Sequence, residues 1–194
     1  NYMNNQIVLN GHKMNKNIMK KHIEKINRFK PKQIHGYAQS LRIIADLIDE
    51  FNLEVPKMVV STTAEPLTEP DREVFMDIFQ KDVYDQYGCG ETNSIAFECD
   101  HHNGLHVNSE HVIIECLNDE MIQSDIGNTI ITNLDNRYMP IIRYKVGDVI
   151  ELNDEDCSCG RSFPLISKIL GRVNEFLKLS NGSLYRRGFF NRLL

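Results

Sequence analysis

Four clusters of residues in this chain have the types and spacing for chemistry. The first is Arg143-Tyr144-Lys145-Val146-Gly147-Asp148, with Gly171-Arg172 further along. An aspartate at a strand end can accept hydrogen bonds from two vicinal ribose hydroxyls, and an arginine can reach the same sugar or a phosphate. The second is Tyr87-Gly88-Cys89-Gly90-Glu91-Thr92. Its glycines free the backbone for a tight turn, Tyr87 could stack on a base, and Glu91 is a hard oxygen ligand suited to Mg²⁺ near phosphates. The third is the small-residue loop Ser61-Thr62-Thr63-Ala64-Glu65-Pro66-Leu67, where a flat ligand could lie against backbone amides. The fourth joins Cys99 and the histidines after it to Cys157-x-Cys159-Gly160. Zinc takes four soft or borderline ligands, often from two loops. Cys99, His106, Cys157 and Cys159 would supply three thiolates and an imidazole, with His101 and His102 as alternatives for the imidazole. Taken singly, each cluster also has an ordinary reading: a strand-to-helix connection, a Gly-rich turn, a turn charge, or unliganded thiols beside surface histidines.

The elements that must position these residues change in kind along the chain. Ile18, Met19, His22, Ile23, Ile26 and Phe29 recur at helical spacing and stop before Pro31. Ile34–Tyr37 reads as a short strand or loop. A second helix is expected from about Ala38 to Phe51, with Leu41, Ile44, Ala45, Leu47 and Ile48 on one face. Lys57–Ser61 reads as a buried strand. Thr68-x-x-Asp71 with Pro70 marks a helix start, and Asp82–Tyr87 a further strand. Strand, helix, strand at this spacing predicts a parallel α/β unit. After Glu91 come short runs, 94–99, 111–117, 129–134, 141–145 and 149–152, separated by Asn, Asp and Gly. They predict an antiparallel, barrel-like lobe. The expected organisation is an α/β lobe over 1–92, a β-rich lobe over 93–172 and a further segment from 173.

Composition bounds the function. Hydrophobic residues at 41% and charged residues at 25% are ordinary for a globular protein. The net charge of -5 argues against a nucleic-acid partner, which needs a basic face. No apolar run reaches the length of a membrane span, and no signal-peptide pattern opens the chain. The five cysteines are an odd number, and those beside histidines and glycine suit metal-binding thiols in a reducing, cytoplasmic setting better than a disulfide framework. Cys89 and Cys116 read as small hydrophobes. His12, His22 and His35 read as helix-face or surface histidines. The absence of a nucleophile-elbow serine leaves a hydrolase without support.

In their order along the chain these motifs resemble those of the adenylate-forming ligases. Within them the chain is most similar to the phenylacetate–coenzyme A ligase branch, which includes proteins of capsular polysaccharide biosynthesis. The resemblance runs from about Phe29 to Lys178. It implies that Ala64, Glu65 and Pro66 line the adenine. It puts Tyr87 on the adenine, with Gly88 and Gly90 in the same motif, and it makes Glu91 the metal-bearing catalytic residue. It makes Asp148 the ribose ligand, with Arg172 beside it, and Asn174 the hinge to a small C-terminal domain. Gly90 stands where the family has Ser or Thr, and Asn174 where it has Asp or Lys. The resemblance implies Mg·ATP as cosubstrate, a small-molecule carboxylic acid as substrate and coenzyme A as a possible acceptor, with AMP as the bound product form. A similar Cys and Cys-x-Cys-Gly-Arg pattern in that branch implies a structural zinc. The family's Ser/Thr/Gly-rich phosphate loop and its lysine-bearing C-terminal domain are not in this sequence. The chain is therefore expected to be an internal piece of a longer ligase and inactive by itself. The competing expectation is a non-catalytic, zinc-stabilised structural or interaction module.

Overall fold

The computed structural model describes residues 5–11, 15–153, 155–173, 176–178 and 184–186. The chain divides into two units, Asn1–Asp85 and Gln86–Leu194.

Among its described residues, unit 1 has three helices and a parallel sheet. α1 (Lys16–Phe29) begins where the Asn15 side chain accepts the Ile18 N–H, and it ends at Lys30 in the left-handed region. Its apolar face buries Met19, Ile23 and Ile26, each worth about 1.5–3 kcal/mol when removed from water. β1 (Gln33–Tyr37), β2 (Val59–Thr63) and the first residues of β3 (Val83–Cys89) pair in parallel in that order. α2 (Ala38–Glu50) and α3 (Glu69–Phe79) make the connections that parallel pairing requires. Thr68 caps α3: its Oγ1 accepts the Asp71 N–H and donates to Asp71 Oδ2 at 2.6 Å. Asp71 is buried, and its other oxygen receives Arg42 Nη1 from α2 at 2.7 Å. Leu41, Ile44, Ala45 and Ile48 of α2 meet Phe75 and Phe79 of α3 over Met58, Val60 and Val83.

Unit 2 is antiparallel. The last residues of β3 pair with β4 (Asn93–Glu98), which pairs with β5 (Leu105–Val107). β5 pairs with β9 (Leu165–Arg172), β9 with β8 (Tyr144–Asn153), β8 with β7 (Ile126–Asn133), and β7 with β6 (Val112–Leu117). Ile95, Leu105, Val107, Val112, Ile131, Ile150 and Ile166 form its core. Two further strands, β10 (Phe176–Lys178) and β11 (Leu184–Arg186), pair with each other.

Several elements differ from expectation. β2 lies two residues later than the apolar run suggested, because Met58 is used as core before the ladder begins. The runs at 141–145 and 149–152 are not separate strands: β8 is continuous from Tyr144, and Gly147 at φ 90 carries a bulge through what looked like a turn. Gly171-Arg172 likewise ends strand β9 and is no turn. β5 and β9 had no assigned strand in the sequence reading. β5 has only three residues, too few to show an alternation.

Candidate functional site

The acidic residue of the Arg-Tyr-x-x-Gly-Asp motif sits on the ladder between β8 and β9. Asp148 is directly opposite Arg172, and Arg172 Nε lies 3.4 Å from Asp148 Oδ1. The other carboxylate oxygen, Oδ2, accepts the Tyr87 hydroxyl at 2.8 Å. Tyr87 comes from β3, so this hydrogen bond spans 61 positions of sequence. Asp148 is 8% exposed, whereas the Arg172 side chain is 67% exposed. The carboxylate is thus held in the buried side of the site while the guanidinium lies exposed at the rim. Burial, and then the Asp148 charge, push the Tyr87 hydroxyl far above its ordinary range, so it stays a donor.

Glu91 follows in the turn between β3 and β4, exposed. Tyr144 of β8 donates its hydroxyl to Glu91 Oε1 at 2.7 Å. That hydrogen bond, with Glu91's own backbone N–H and then Cys89, holds the carboxyl below its ordinary value. The turn is pinned by Thr92, which is buried and whose carbonyl accepts His111 Nε2 at 2.7 Å, while His111 Nδ1 meets the Asp135 carboxylate. Gly88 lies in the β3–β4 bulge so close to Asn93 that a Cβ there would overlap the Asn93 carbonyl oxygen. Gly90 has open space around it.

Tyr144 and His111 were missed as functional positions in the sequence. The signal for Tyr144 was its place four residues before Asp148 in the same motif. Nothing local marks His111. Arg143 is turned away: its guanidinium makes a two-point contact with Glu115, at 3.1 and 3.0 Å.

Ala64, Glu65 and Pro66 lie in unit 1, in the loop after β2. Ala64 adopts φ 64, a left-handed conformation uncommon for a non-glycine residue. Glu65 Oε2 accepts the Gln39 N–H at 2.8 Å and so caps α2, whose own N-cap residue, Tyr37, provides no side-chain bond. Asn174 lies outside the described residues.

The thiol cluster is in unit 2. Single donor atoms from Cys99, His106, Cys157 and Cys159 all lie within 4.8 Å of one another. Cys99 follows β4, His106 is the middle residue of β5, and the other two sit in the loop from β8 to β9. The Sγ atoms of Cys99 and Cys157 are 3.8 Å apart, and Cys159 Sγ is 3.3 Å from His106 Nε2. Sulfurs on a tetrahedral zinc, with bonds of about 2.3 Å, stand about 3.8 Å apart. His106 Nδ1 faces the Phe163 carbonyl at 3.4 Å, which turns Nε2 to the cluster. The backbone N–H groups of His101 and Arg161 point at the sulfurs of Cys99 and Cys159, and the latter draws the Cys159 thiol below its ordinary value. The other two histidines are engaged elsewhere, His101 with Ser158 at 2.7 Å and His102 with Glu98 at 3.1 Å. Cys116 packs in the core, and Cys89 lies against Thr92.

With this geometry in place, comparison with known proteins is informative. Protein CapK of Staphylococcus aureus is 29% identical over 178 residues, covering 90% of this chain and 38% of that protein. Phenylacetate-coenzyme A ligase of Thermus thermophilus is 28% identical over 129 residues, covering 63% of this chain and 29% of the ligase. These likenesses support an adenylate-forming ligase family for the chain. Among solved structures, 2-hydroxyisobutyryl-CoA ligase in the postadenylation state, in complex with an acyl-AMP, superposes with a TM-score of 0.79 at 16% identity. That match covers 91% of this chain and 40% of the ligase, and it establishes the adenylate-forming ligase fold. The chain therefore spans well under half the length of the relatives it matches. No family model matches it.

Proposed function

We propose that this chain contributes the ribose-binding part of an ATP-dependent carboxylate-activating ligase. The reaction is attack of a carboxylate on the α-phosphate of ATP. It forms an acyl-adenylate and releases pyrophosphate, after which a thiol such as that of coenzyme A takes the acyl group and AMP leaves. The observation that carries this reading is Asp148: a nearly buried carboxylate, braced by Tyr87 from below and met by an exposed arginine on the neighbouring strand. An ionised carboxylate has about four lone-pair sites, and Tyr87 takes one. The rest suit the two hydroxyls of a ribose, while Arg172 can follow the charge of the phosphate or the sugar oxygens.

Glu91 is the residue for a divalent cation, an exposed carboxyl that Tyr144 holds below its ordinary value. Mg²⁺ bound there would neutralise charge on the phosphates. Gly88 and Gly90 shape the turn that presents Glu91. The adenine-lining role of Ala64, Glu65 and Pro66 rests on the family resemblance alone. Cys99, His106, Cys157 and Cys159 fit a structural zinc, a closed site that joins β4, β5 and the β8–β9 loop and takes no part in the reaction. The likeness to two ligase-family proteins supports the ligase reading over that of a non-catalytic module. The subtype, phenylacetate–coenzyme A ligase-like and connected with capsular polysaccharide, follows the names of those relatives.

The test is calorimetric titration of AMP into the wild-type chain and into Asp148→Ala. Loss of charge-assisted hydrogen bonds should weaken AMP at least roughly tenfold. Equal AMP affinity in the two proteins would overturn the assignment.

A further inference from the structure

Tyr87 is 6% exposed, so its ring has little free face to stack on a ligand. What it brings to the site is its hydroxyl. That hydroxyl reaches from β3 to a carboxylate on β8, two strands that do not pair with each other. The ladder around Asp148 is irregular. Gly147, just before it, turns at φ 90, and the β8–β9 register slips just after it, between Val149 and Ile150. A carboxylate at an irregular point of a ladder has freedom about its side-chain torsions. One buried hydrogen bond to Oδ2 removes that freedom and turns Oδ1 to the rim where Arg172 sits. Beside the Tyr87 oxygen, the Thr129 hydroxyl is fully buried and has no well-formed hydrogen bond among the described residues.

We infer that Tyr87 is a positioning residue that acts through Asp148 and sets the preference for a ligand with both ribose hydroxyls. The inference rests on the nucleotide reading above. It assigns the phenol oxygen, and not the ring face, as what Tyr87 contributes. A rigid carboxylate meets two hydroxyls at fixed spacing without first losing rotamer freedom, whereas a loose one must lose it on binding.

The test measures AMP and 2′,3′-dideoxyadenosine monophosphate binding to the wild-type chain, Tyr87→Phe, Asp148→Ala and the double variant. Tyr87→Phe keeps the ring and its packing. It should weaken AMP roughly tenfold and leave the dideoxy nucleotide unchanged. In the Asp148→Ala background it should have no further effect, because its target is gone. Equal weakening of both nucleotides, or additive effects of the two substitutions, would assign Tyr87 a merely structural role and overturn the inference. Unchanged AMP affinity in Tyr87→Phe would do the same. Should Tyr87→Phe fold poorly, amide NMR of the wild-type chain keeps the question open to measurement: the Tyr87 and Asp148 signals should shift with AMP and not with the dideoxy nucleotide, and equal shifts with both overturn the inference. Failure of the wild-type chain to bind AMP at all would instead defeat the nucleotide reading from which this one is drawn.

Discussion

His111 holds the Glu91 turn by donating from both ring nitrogens, to the Thr92 carbonyl and to the Asp135 carboxylate. A neutral imidazole has one N–H, so the two contacts together favour the imidazolium. The Thr92 carbonyl first, and then Asp135, raise the His111 value above its ordinary one. A raised value means that the folded state binds the proton more tightly than the unfolded state. The stabilisation is therefore complete below about pH 6.5, the unfolded value, and is lost as pH rises through the folded one. The thermal midpoint of the wild type should fall relative to His111→Gln as pH rises above about 6.5. A difference that does not change with pH would contradict the contact. His111 shows what was illegible at this scale. It is an isolated histidine at the start of a β run, and only the fold brings Thr92 and Asp135 to it. Asp148 and Arg172, by contrast, were singled out in the sequence by motifs whose order resembles a known family's, and the fold sets them opposite each other. The choice of His106 among three neighbouring histidines was not legible. Strand pairing decides it by placing that residue opposite Leu165 and over the Cys157–Cys159 loop.

The helices of unit 1 follow their apolar periodicity closely, since each has one buried face and a local stop signal. The β lobe was harder to read. Its strands carry Asn, Asp and Gly inside them, and these residues look like turns until pairing is known. Gly147 appeared to separate two strands that are in fact one, β8. Gly88 is the position where an element depends on having no side chain. A Cβ would meet the Asn93 carbonyl oxygen and press on Ser94 Cα at 3.3 Å. The alternative is a shift of the β3–β4 bulge, and Glu91 would move with it. Gly88→Ala should cost about 1–3 kcal/mol by chemical denaturation, with the loss in unit 2. A loss under about 0.5 kcal/mol, as at an ordinary surface site, would show that the bulge yields freely.

At the scale of the molecule, the thiol cluster brings together the end of β4, the middle of β5 and the loop from β8 to β9. Its core is only Cys99, Cys157 and Leu165, with Cys159 packed against them. Metal binding of this kind contributes folding free energy directly. The purified chain should hold about one zinc, and chelation should lower its thermal midpoint. Cys157→Ser should lower both the zinc content and the midpoint. Full stability in a metal-free preparation would show that the cluster is a set of packed thiols. The change of periodicity, from helical spacing to short β runs, was legible in the sequence. The unit boundary within β3 was not, because one strand serves the parallel unit with its first residues and the antiparallel unit with its last.

The central claim is that Asp148, held by Tyr87 and faced by Arg172, is a ribose site. Its most direct test is amide NMR of the chain titrated with AMP. The account predicts shift changes centred on Tyr87, Gly147 to Val149 and Arg172, absent in Asp148→Ala. Changes confined to other residues, or the same pattern in the variant, would contradict it.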